Sequence, residues 1–345
     1  MNYFSQLRES FLIAEIGVNH NGDVNLAKKL ISSAKSSGAN AVKFQTFKAT
    51  SLVSPGTPKV KYQLNNSSDD ETHYQMLQRL ELSHEAHYEL FQYCHDLKID
   101  FISTPYDIDS AQFLLKMGVS FFKTASADLV DLPLQSFIAA SGLPAIVATG
   151  MASLGEVERV VNIYEGMGNE NIILLHAVSN YPCSDESLNL RAMCTLSKAF
   201  SLPIGFSDHS EGYLGAVLSV AMGAKVIEKH FTLDKSMEGP DHKASSTPFE
   251  FSELVHNVRR AEKILGSAKK ICQNEEREMS IVSRKSLTLA KEIKAGEIIT
   301  DSDIVLMRPG SGVDASHIGS FIGRSARADL KEGYQLRWSD IEGSS

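Results

Sequence analysis

The chain has 345 residues, of which 43% are hydrophobic and 22% are charged, and its formal net charge at pH 7 is −8. This length accommodates one large core and a small additional domain, and the negative charge disfavours nucleic acid or an anionic membrane as a partner, because both bind clustered lysine and arginine. The sequence contains neither an apolar run of membrane length nor a basic leader, and its four scattered cysteines form no CxxC pair. We therefore expect a cytoplasmic protein with free thiols.

Eight short apolar runs alternate with helical patterns over residues 1–265. In chain order the runs are FLIAEIGV, NAVKFQTF, IDFISTPY, VSFFKTAS, PAIVATG, IILLHAV, LPIGFSD and AKVIEKHF. The segments between them space their apolar residues three and four apart, and several end in a glycine that stops a helix. Continuous apolar strands suit a parallel sheet that is covered on both faces. We therefore predict a (β/α)8 TIM barrel rather than an open doubly wound sheet, whose first turn would carry the GxGxxG that IGVNHNGDV lacks.

Two segments stand outside these eight units. The connection over residues 48–82 has the turn-rich stretches SPGTPKV and NNSSDD and the helical stretch ETHYQMLQRLEL, and loops of this length are usually lids or substrate-contacting inserts. After the barrel, a charged segment precedes two internal echoes, EIKAGEIITDSDI and DLKEGYQLRWSDI. We predict a catalytic barrel over 1–265, a linker over 266–284, and over 285–345 a module of short strands and turns that gains by packing on a partner surface.

Polar side chains stand at or just after the carboxyl ends of the runs, and in a parallel barrel these ends meet at one mouth. They are Glu15, Lys43, Gln45, Thr104, Lys123, Ser126, Thr149, His176, Ser207, Asp208, His209 and His230. His209 in SDHS and His230 in EKHF end neighbouring strands, so they can share a divalent ion whose other ligands are water or substrate oxygen. Asp208 and Glu228 lie beside them as carboxylates that can orient the imidazoles.

Lys43 and Lys123 end the second and fourth runs, with Thr104 and Ser126 nearby. Two lysines with hydroxyls indicate a cradle for phosphate and carboxylate rather than one activated amine. Arg308, in MRPGSG of the small module, would add a third cation if its loop reached the mouth.

Glu15 can anchor a sugar hydroxyl or transfer a proton, and Asp128 offers a second carboxylate for hydroxyl contacts. The sequence leaves two roles for His176: it contacts substrate, or it is a core histidine with its hydrogen bonds satisfied. Residues 19–21 are expected to line the first loop.

Six motifs together resemble the bacterial sialic acid synthase family: AEIGVNHNG, AVKFQTFKA, FISTPYD, GFSDHS, GAKVIEKHFTLDKSMEGPDHKAS and MRPGSG. The resemblance covers nearly the whole chain, including a C-terminal module similar to the antifreeze-like (SAF) domain. It implies a TIM barrel followed by that domain, in a homodimer whose swapped C-terminal domains cap the partner's site. It also implies synthesis of N-acetylneuraminate from phosphoenolpyruvate and N-acetylmannosamine.

By position in these motifs, the resemblance implies that His209 and His230 bind Mn²⁺ or Mg²⁺, and that Arg308 reaches the substrate's N-acetyl group from the partner subunit. Residues at phosphoenolpyruvate-binding positions are Lys43, Thr104, Lys123, Ser126 and Ser207. Residues at positions that face the sugar or the metal-bound water are Glu15, Gln45, Tyr181 and Asp241, with Asp128 as a further sugar contact. We expect Glu15 to act in proton transfer.

Two departures from the family pattern leave the sugar open. ATGM puts Ala148 where a serine hydroxyl is usual near the phosphate, and ASAD puts Asp128 where glutamate is frequent. The run VDLPL also resembles the pseudaminic acid synthases. We expect N-acetylmannosamine as the sugar, and the alternative is a 2,4-diacetamido hexose, as used by a legionaminate or pseudaminate synthase.

Two other classes of protein remain as rivals. A metal-independent Schiff-base aldolase would act through Lys123, and borohydride would trap its adduct. A non-catalytic glycan- or ice-binding protein would depend on the C-terminal module and would not need a polar barrel mouth.

Overall fold

The computed structural model describes residues 2–54, 56–59 and 71–343, so the predicted turn NNSSDD and part of SPGTPKV lie outside the described residues. The chain divides into two compact units, Met1–Gly266 and Ser267–Ser345. The segment 266–284, expected as a linker, contains a 3-10 turn at Asn274–Glu276 and a helix at Arg277–Ser283. Among the described residues, no helix is long and apolar enough to cross a membrane.

The first unit is built around eight parallel strands, one in each predicted run. They are β1 (Phe11–Gly17), β2 (Ala41–Thr46), β3 (Asp100–Pro105), β4 (Phe122–Thr124), β5 (Ala145–Ala148), β6 (Ile172–Ala177), β7 (Ile204–Asp208) and β8 (Val226–His230). Hydrogen bonds join them in the order β3-β2-β1-β8-β7-β6-β5-β4, and β3 and β4 at the two ends approach within 8 Å. The sheet thus wraps into a nearly closed TIM barrel, which confirms the predicted fold.

Helices connect these strands. They are α1 (Val24–Ser36), α2 (Ala49–Leu52), α3 (His73–Leu80), α4 (His84–Leu97), α5 (Ile108–Met117), α6 (Leu132–Ala140), α7 (Leu154–Gly166), α8 (Asp185–Leu188), α9 (Ala192–Phe200) and α10 (Leu214–Ala221), and α11 (Pro248–Leu265) follows β8. Side-chain caps fix several starts: Asp23 accepts a hydrogen bond from the Asn25 N–H at α1, and Ser83 accepts one from the Ala86 N–H at α4. Gly118, at a φ of +90°, ends α5 as a glycine stop.

The side chains that share the inner face of the barrel change from apolar to charged along the strands. One apolar cluster contains Ile13, Ala41, Ile102 and Val226. Two residues further along the same strands, and so on the same face, stand Glu15, Lys43, Thr104 and Glu228. Strand alternation therefore fills the lower barrel with hydrocarbon and brings the polar groups to its mouth.

The second unit is a small module in which the two sequence echoes pair with each other. Its helices are α12 (Arg277–Ser283) and α13 (Ile318–Phe321), and β9 (Ser286–Leu289) pairs antiparallel with β10 (Ile304–Met307). The equivalent echo residues Ile293 and Leu330 form an antiparallel bridge, and the equivalent glycines Gly296 and Gly333 turn at φ values of +83° and +78°. The echoes are thus two matching turns around one apolar core. The sequence predicted a module of short strands and turns, but not that the two echoes pair.

Candidate active site

A cavity of about 410 Å³ lies at the carboxyl ends of the barrel strands, a size typical of small-molecule sites, which run to roughly 300–1,000 Å³. Eleven of the predicted site residues line it: Glu15, Lys43, Gln45, Lys123, Ser126, Tyr181, Ser207, His209, Glu228, His230 and Asp241. These residues come from strands and loops far apart in sequence, and the parallel barrel brings them together.

Six predicted residues do not line this cavity, and one of them, Asp208, instead pairs with Lys229 Nζ at 3.0 Å. Thr104 lies behind it, where its hydroxyl oxygen accepts a hydrogen bond from Lys43 Nζ at 3.2 Å. Asp128 lies in the 3-10 turn Ser126–Val130 after β4, and Arg308 is an exposed residue of the second unit. The Thr149 hydroxyl donates to the Leu175 carbonyl at 2.9 Å. His176 proves to be a satisfied structural histidine, because its Nε2 lies 2.7 Å from the Leu188 carbonyl oxygen.

Four charged side chains form the floor of the cavity. Lys43 Nζ lies 2.6 Å from Glu15 Oε2, and Lys123 Nζ lies 3.5 Å from Glu228 Oε1, with each side chain no more than 5% exposed. The Ser207 hydroxyl donates to Glu228 Oε1 at 3.1 Å, and Gln45 donates to Glu15 Oε1 at 3.2 Å. Two cations are thereby held in place under the cavity by two carboxylates.

The two carboxylates of this floor differ in how readily they ionise. Burial raises the pKa of Glu15 to about 7, although Lys43 acts in the opposite direction. Burial also opposes ionisation of Glu228, but Lys123 and Lys43 together lower the pKa of that carboxyl to about 2. Whenever Glu15 is protonated the floor is positively biased, which favours an anionic ligand.

The two predicted metal ligands, His209 and His230, stand side by side with ring centroids 5.6 Å apart. His209 Nδ1 donates to the Val178 carbonyl at 2.7 Å, so the lone pair is on Nε2. His230 Nδ1 is buried without a hydrogen-bond partner among the described residues, and it lies 4.0 Å from Asp241 Oδ2. Burial lowers the pKa of both imidazoles and keeps them neutral, the state that binds a metal ion.

These donors fit a divalent ion bound with an incomplete protein shell. The residues that the structure describes contain no group of three or more His, Cys, Asp or Glu side chains placed to hold a metal. Two neutral imidazoles would therefore leave most coordination positions to water or substrate oxygen, which is the arrangement of a catalytic rather than a structural site. The metal itself stays a prediction.

Two loops bring a further acid and an aromatic ring to the histidines. The Tyr181 ring lies 4.2 Å from the His209 ring, and burial raises the pKa of Asp241 to about 6. Asn19 of the first loop holds the Asp241 loop, because its amide donates to the Ser245 hydroxyl, which in turn donates to the Asp241 carbonyl. Asn19 thus supports the site from behind, outside the cavity lining.

Several lining residues were missed by the sequence reasoning. Ser179 and Ser126 both approach Gly150, whose Cβ position would lie 2.6 and 2.7 Å from their hydroxyl oxygens. Tyr106 also lines the cavity, and the period of two along β3, from Thr104 to Tyr106, could have identified it. Most of the other missed residues are aliphatic and come from the loop after β1 and the β2–β3 connection, and the remainder are His73, Ala125, Ala127, Met151 and Pro240.

Each of the two units is similar to a known protein family or domain. The NeuB family matches residues 30–270, and the SAF domain matches residues 284–342. The N,N′-diacetyllegionaminic acid synthase of Legionella pneumophila is 45% identical, covering 96% of this chain and 94% of its own. The enzyme of that name from Campylobacter jejuni is 43% identical, covering 96% and 100%. The N-acetylneuraminic acid synthetase structure from Leptospira borgpetersenii is 36% identical, with a TM-score of 0.71 and coverage of 79% of this chain and 90% of that one.

The carboxyl group of Asp128 generates a prediction about stability. Burial and then Asp131 raise the pKa of Asp128 to about 7, and its Oδ2 is buried without a hydrogen-bond partner among the described residues. An acid with a higher pKa in the folded than in the unfolded protein costs stability once it ionises, so the cost grows from about pH 4 to about pH 7. Asp128→Asn should therefore raise the melting temperature, and more at pH 8 than at pH 5.

Calorimetry at the two pH values measures this effect, with Asp96→Asn on an exposed helix face as the matched control. A gain from Asp128→Asn that is equal at pH 5 and pH 8, or equal to that of the control, would contradict the assigned environment of Asp128.

Proposed function

The chain belongs to the NeuB family, and within that family we propose that it condenses phosphoenolpyruvate with a 2,4-diacetamido hexose and water to give a diacetyllegionaminate-type sugar acid and phosphate. The observation that carries the proposal is a cavity whose floor contains two buried lysines beside a pair of neutral histidines. The floor suits an anionic co-substrate, and the histidines suit activation of a sugar carbonyl.

The choice of sugar changes the first expectation from the sequence, which was N-acetylmannosamine. Identity to the two N,N′-diacetyllegionaminic acid synthases is 45% and 43%, against 36% to the N-acetylneuraminic acid synthetase. This difference supports the alternative sugar, with two acetamido groups, over the sugar with one.

Phosphoenolpyruvate would lie on this floor. Lys43 and Lys123 neutralise its phosphate and carboxylate, and the Ser126 and Ser207 hydroxyls add hydrogen bonds. Carbon 3 of phosphoenolpyruvate forms a bond to the sugar aldehyde carbon, and the aldehyde C=O π bond opens to give a hydroxyl that takes up one proton. Water adds at carbon 2 and loses one proton. The bond between carbon 2 and the phosphate oxygen then breaks, carbon 2 becomes a ketone, and the second proton of the water leaves with phosphate. Positive charge that develops at carbon 2 faces Glu228 and, when ionised, Glu15.

Glu15 is the residue best placed to move a proton. It lines the cavity between Lys43 and Gln45, and its pKa of about 7 allows it to accept and release a proton near neutrality. Loss of a proton from the attacking water is the step in which it would act.

His209 and His230 would hold Mn²⁺ or Mg²⁺ through their inward-facing nitrogens. When bound, such an ion supplies Lewis acidity toward a substrate oxygen. Asp241 and Tyr181, which adjoin the histidines, would orient the sugar hydroxyls at the same place.

We also propose a homodimer in which each Arg308 completes the partner's site. None of the described residues that line the cavity is an arginine, and Arg308 is exposed at the end of β10. The preceding residues Val305, Leu306 and Met307 are also exposed, an apolar strip that would gain by burial against another surface. The four cysteines of the chain are all free, which supports a protein that resides in a reducing compartment such as the cytoplasm.

The sugar assignment is tested by incubating the purified protein, Mn²⁺ and phosphoenolpyruvate with each sugar and measuring phosphate release. We expect kcat/KM to be at least about tenfold higher with the 2,4-diacetamido hexose than with N-acetylmannosamine, because apolar contacts discriminate by roughly 10–200-fold. Lys43→Met, which removes a floor cation, should abolish release with both sugars. A preference for N-acetylmannosamine would overturn the sugar, and no release with either would overturn the reaction.

Metal dependence is tested by chelation and by the histidines. EDTA should abolish phosphate release, and Mn²⁺ or Mg²⁺ should restore it. His230→Ala should lower kcat/KM by more than about 100-fold. Mutating a residue that only hydrogen-bonds to a metal ligand already lowers metal affinity or activity by roughly 10–100-fold, and loss of the ligand itself should cost more. His95→Ala, on an exposed helix face, is the matched control. Full activity in EDTA with borohydride trapping at Lys123 would instead favour the Schiff-base aldolase.

The shared site is tested by mixing two inactive variants, His230→Ala and Arg308→Ala, in one cell. If Arg308 acts across the dimer, each mixed dimer has one site with an intact barrel and an intact arginine, and phosphate release returns. If Arg308 acts within its own chain, both sites of the mixed dimer are defective, and the absence of recovery contradicts the proposal.

A further inference from the structure

One side of the cavity is mostly apolar. Six aliphatic side chains line it, and we call them the apolar wall: Val18, Leu52, Val53, Met76, Leu77 and Leu80. They belong to a cluster separate from the barrel core, and this cluster also contains Phe47 and Ala49. The wall thus comes from the loop after β1 and from the long β2–β3 connection.

Local contacts hold the wall in place. Glu81, which follows α3, accepts a hydrogen bond from the Ala49 N–H, so both ends of the connection are tied together. Met76 and Leu80 are each 1% exposed, and the Phe47 and Tyr106 rings pack edge to face at 5.9 Å. A wall fixed in this way can discriminate between ligands by shape and polarity.

The wall adjoins the part of the cavity that Glu15 and Gln45 line, the two residues at positions expected to face the sugar. Val18 follows Gly17, whose Cβ position would lie 2.8 Å from Glu15 Oε1 and 3.2 Å from Gln45 Nε2. Gln45 is also the last cavity-lining residue of β2 before the connection that carries the other five wall residues. Because Glu15 and Gln45 are expected to face the sugar, we infer that the sugar is the part of the ligand that meets the wall.

An acetamido group complements this surface better than a hydroxyl does. Its methyl can pack on the aliphatic side chains, and its amide can hydrogen-bond with the Tyr106 phenol, which lines the cavity beside the wall. The β2–β3 connection also brings His73, a polar residue, to the cavity. Away from His73, the six wall side chains offer no hydrogen-bonding group, so a hydroxyl pressed against them would lose its water without replacement.

We propose that the apolar wall binds the second acetamido group of the sugar and thereby selects a diacetamido hexose over N-acetylmannosamine. This inference rests on the proposed function and assigns its sugar specificity to the residues of the wall.

The test compares wild type with Val53→Thr and Leu52→Asn, two half-buried wall positions where a polar side chain is compatible with folding. Val53→Thr keeps the shape and adds a hydroxyl, and Val24→Thr, a half-buried valine away from the cavity, is its matched control. The ratio of kcat/KM for the diacetamido hexose to that for N-acetylmannosamine is measured from phosphate release. We expect each wall variant to lower this ratio by roughly tenfold, within the range of one apolar contact, while Val24→Thr leaves it unchanged.

The outcomes separate the wall from the reaction. If wild type prefers the diacetamido hexose but both wall variants keep the wild-type ratio, the wall proposal is overturned and the proposed function stands. If the wall variants lose activity equally with both sugars, the wall is structural and its role in selection is overturned. If wild type prefers N-acetylmannosamine, or releases phosphate with neither sugar, the proposed function is overturned, and so is the proposal that the wall binds a second acetamido group.

Discussion

Four charged side chains are buried together at the mouth of the barrel, and both the fold and its chemistry depend on their mutual compensation. Removing one partner of a buried ion pair costs about 3–5 kcal/mol, because the remaining charge has lost its water without gaining a replacement. Glu15, Lys43, Lys123 and Glu228 must therefore keep their arrangement, and strands β1, β2, β4 and β8 keep it for them. The pKa of Glu15, about 7, makes this balance adjustable, since its protonation leaves excess positive charge for an anionic co-substrate.

This same arrangement explains how much of the site could be predicted from the sequence. Strand alternation relates Ile13 to Glu15 and Ala41 to Lys43, and the parallel barrel directs all such positions to one end, so the two lysines, Glu15 and the histidines were identifiable from the strand pattern. The sequence predicted Glu228 as a carboxylate that orients the histidines, and only the structure shows its pairing with Lys123. His176 has the same strand-end placement as His209. Its role depends on a carbonyl twelve residues away, at Leu188, which no local pattern indicates.

The parts that escaped prediction lie in loops, where tertiary contacts rather than periodicity fix the side chains. The apolar wall depends on Glu81 reaching back to the Ala49 N–H, and Asn19 acts through Ser245 on a loop more than two hundred residues away. Aliphatic residues in a long connection look like ordinary packing, so nothing in residues 48–82 distinguishes a core leucine from one that faces a ligand. The echoes of the second unit were easier to recognise in the sequence, because the same pattern of residues occurs twice. In the structure the two echoes form a bridge at equivalent residues, Ile293 and Leu330.

From these constraints it follows that strand residues and loop residues have different roles in the site. The floor is made of buried, mutually dependent charges, so it tolerates little change and suits the co-substrate that every turnover shares. Each wall side chain can change without leaving a buried charge unpaired, so the wall can diverge while the barrel stays intact. An apolar contact discriminates only modestly, by roughly 10–200-fold per methylene-sized difference. With the sugar bound against the wall as we propose, six apolar side chains can therefore select between acetamido sugars that the charged floor does not distinguish.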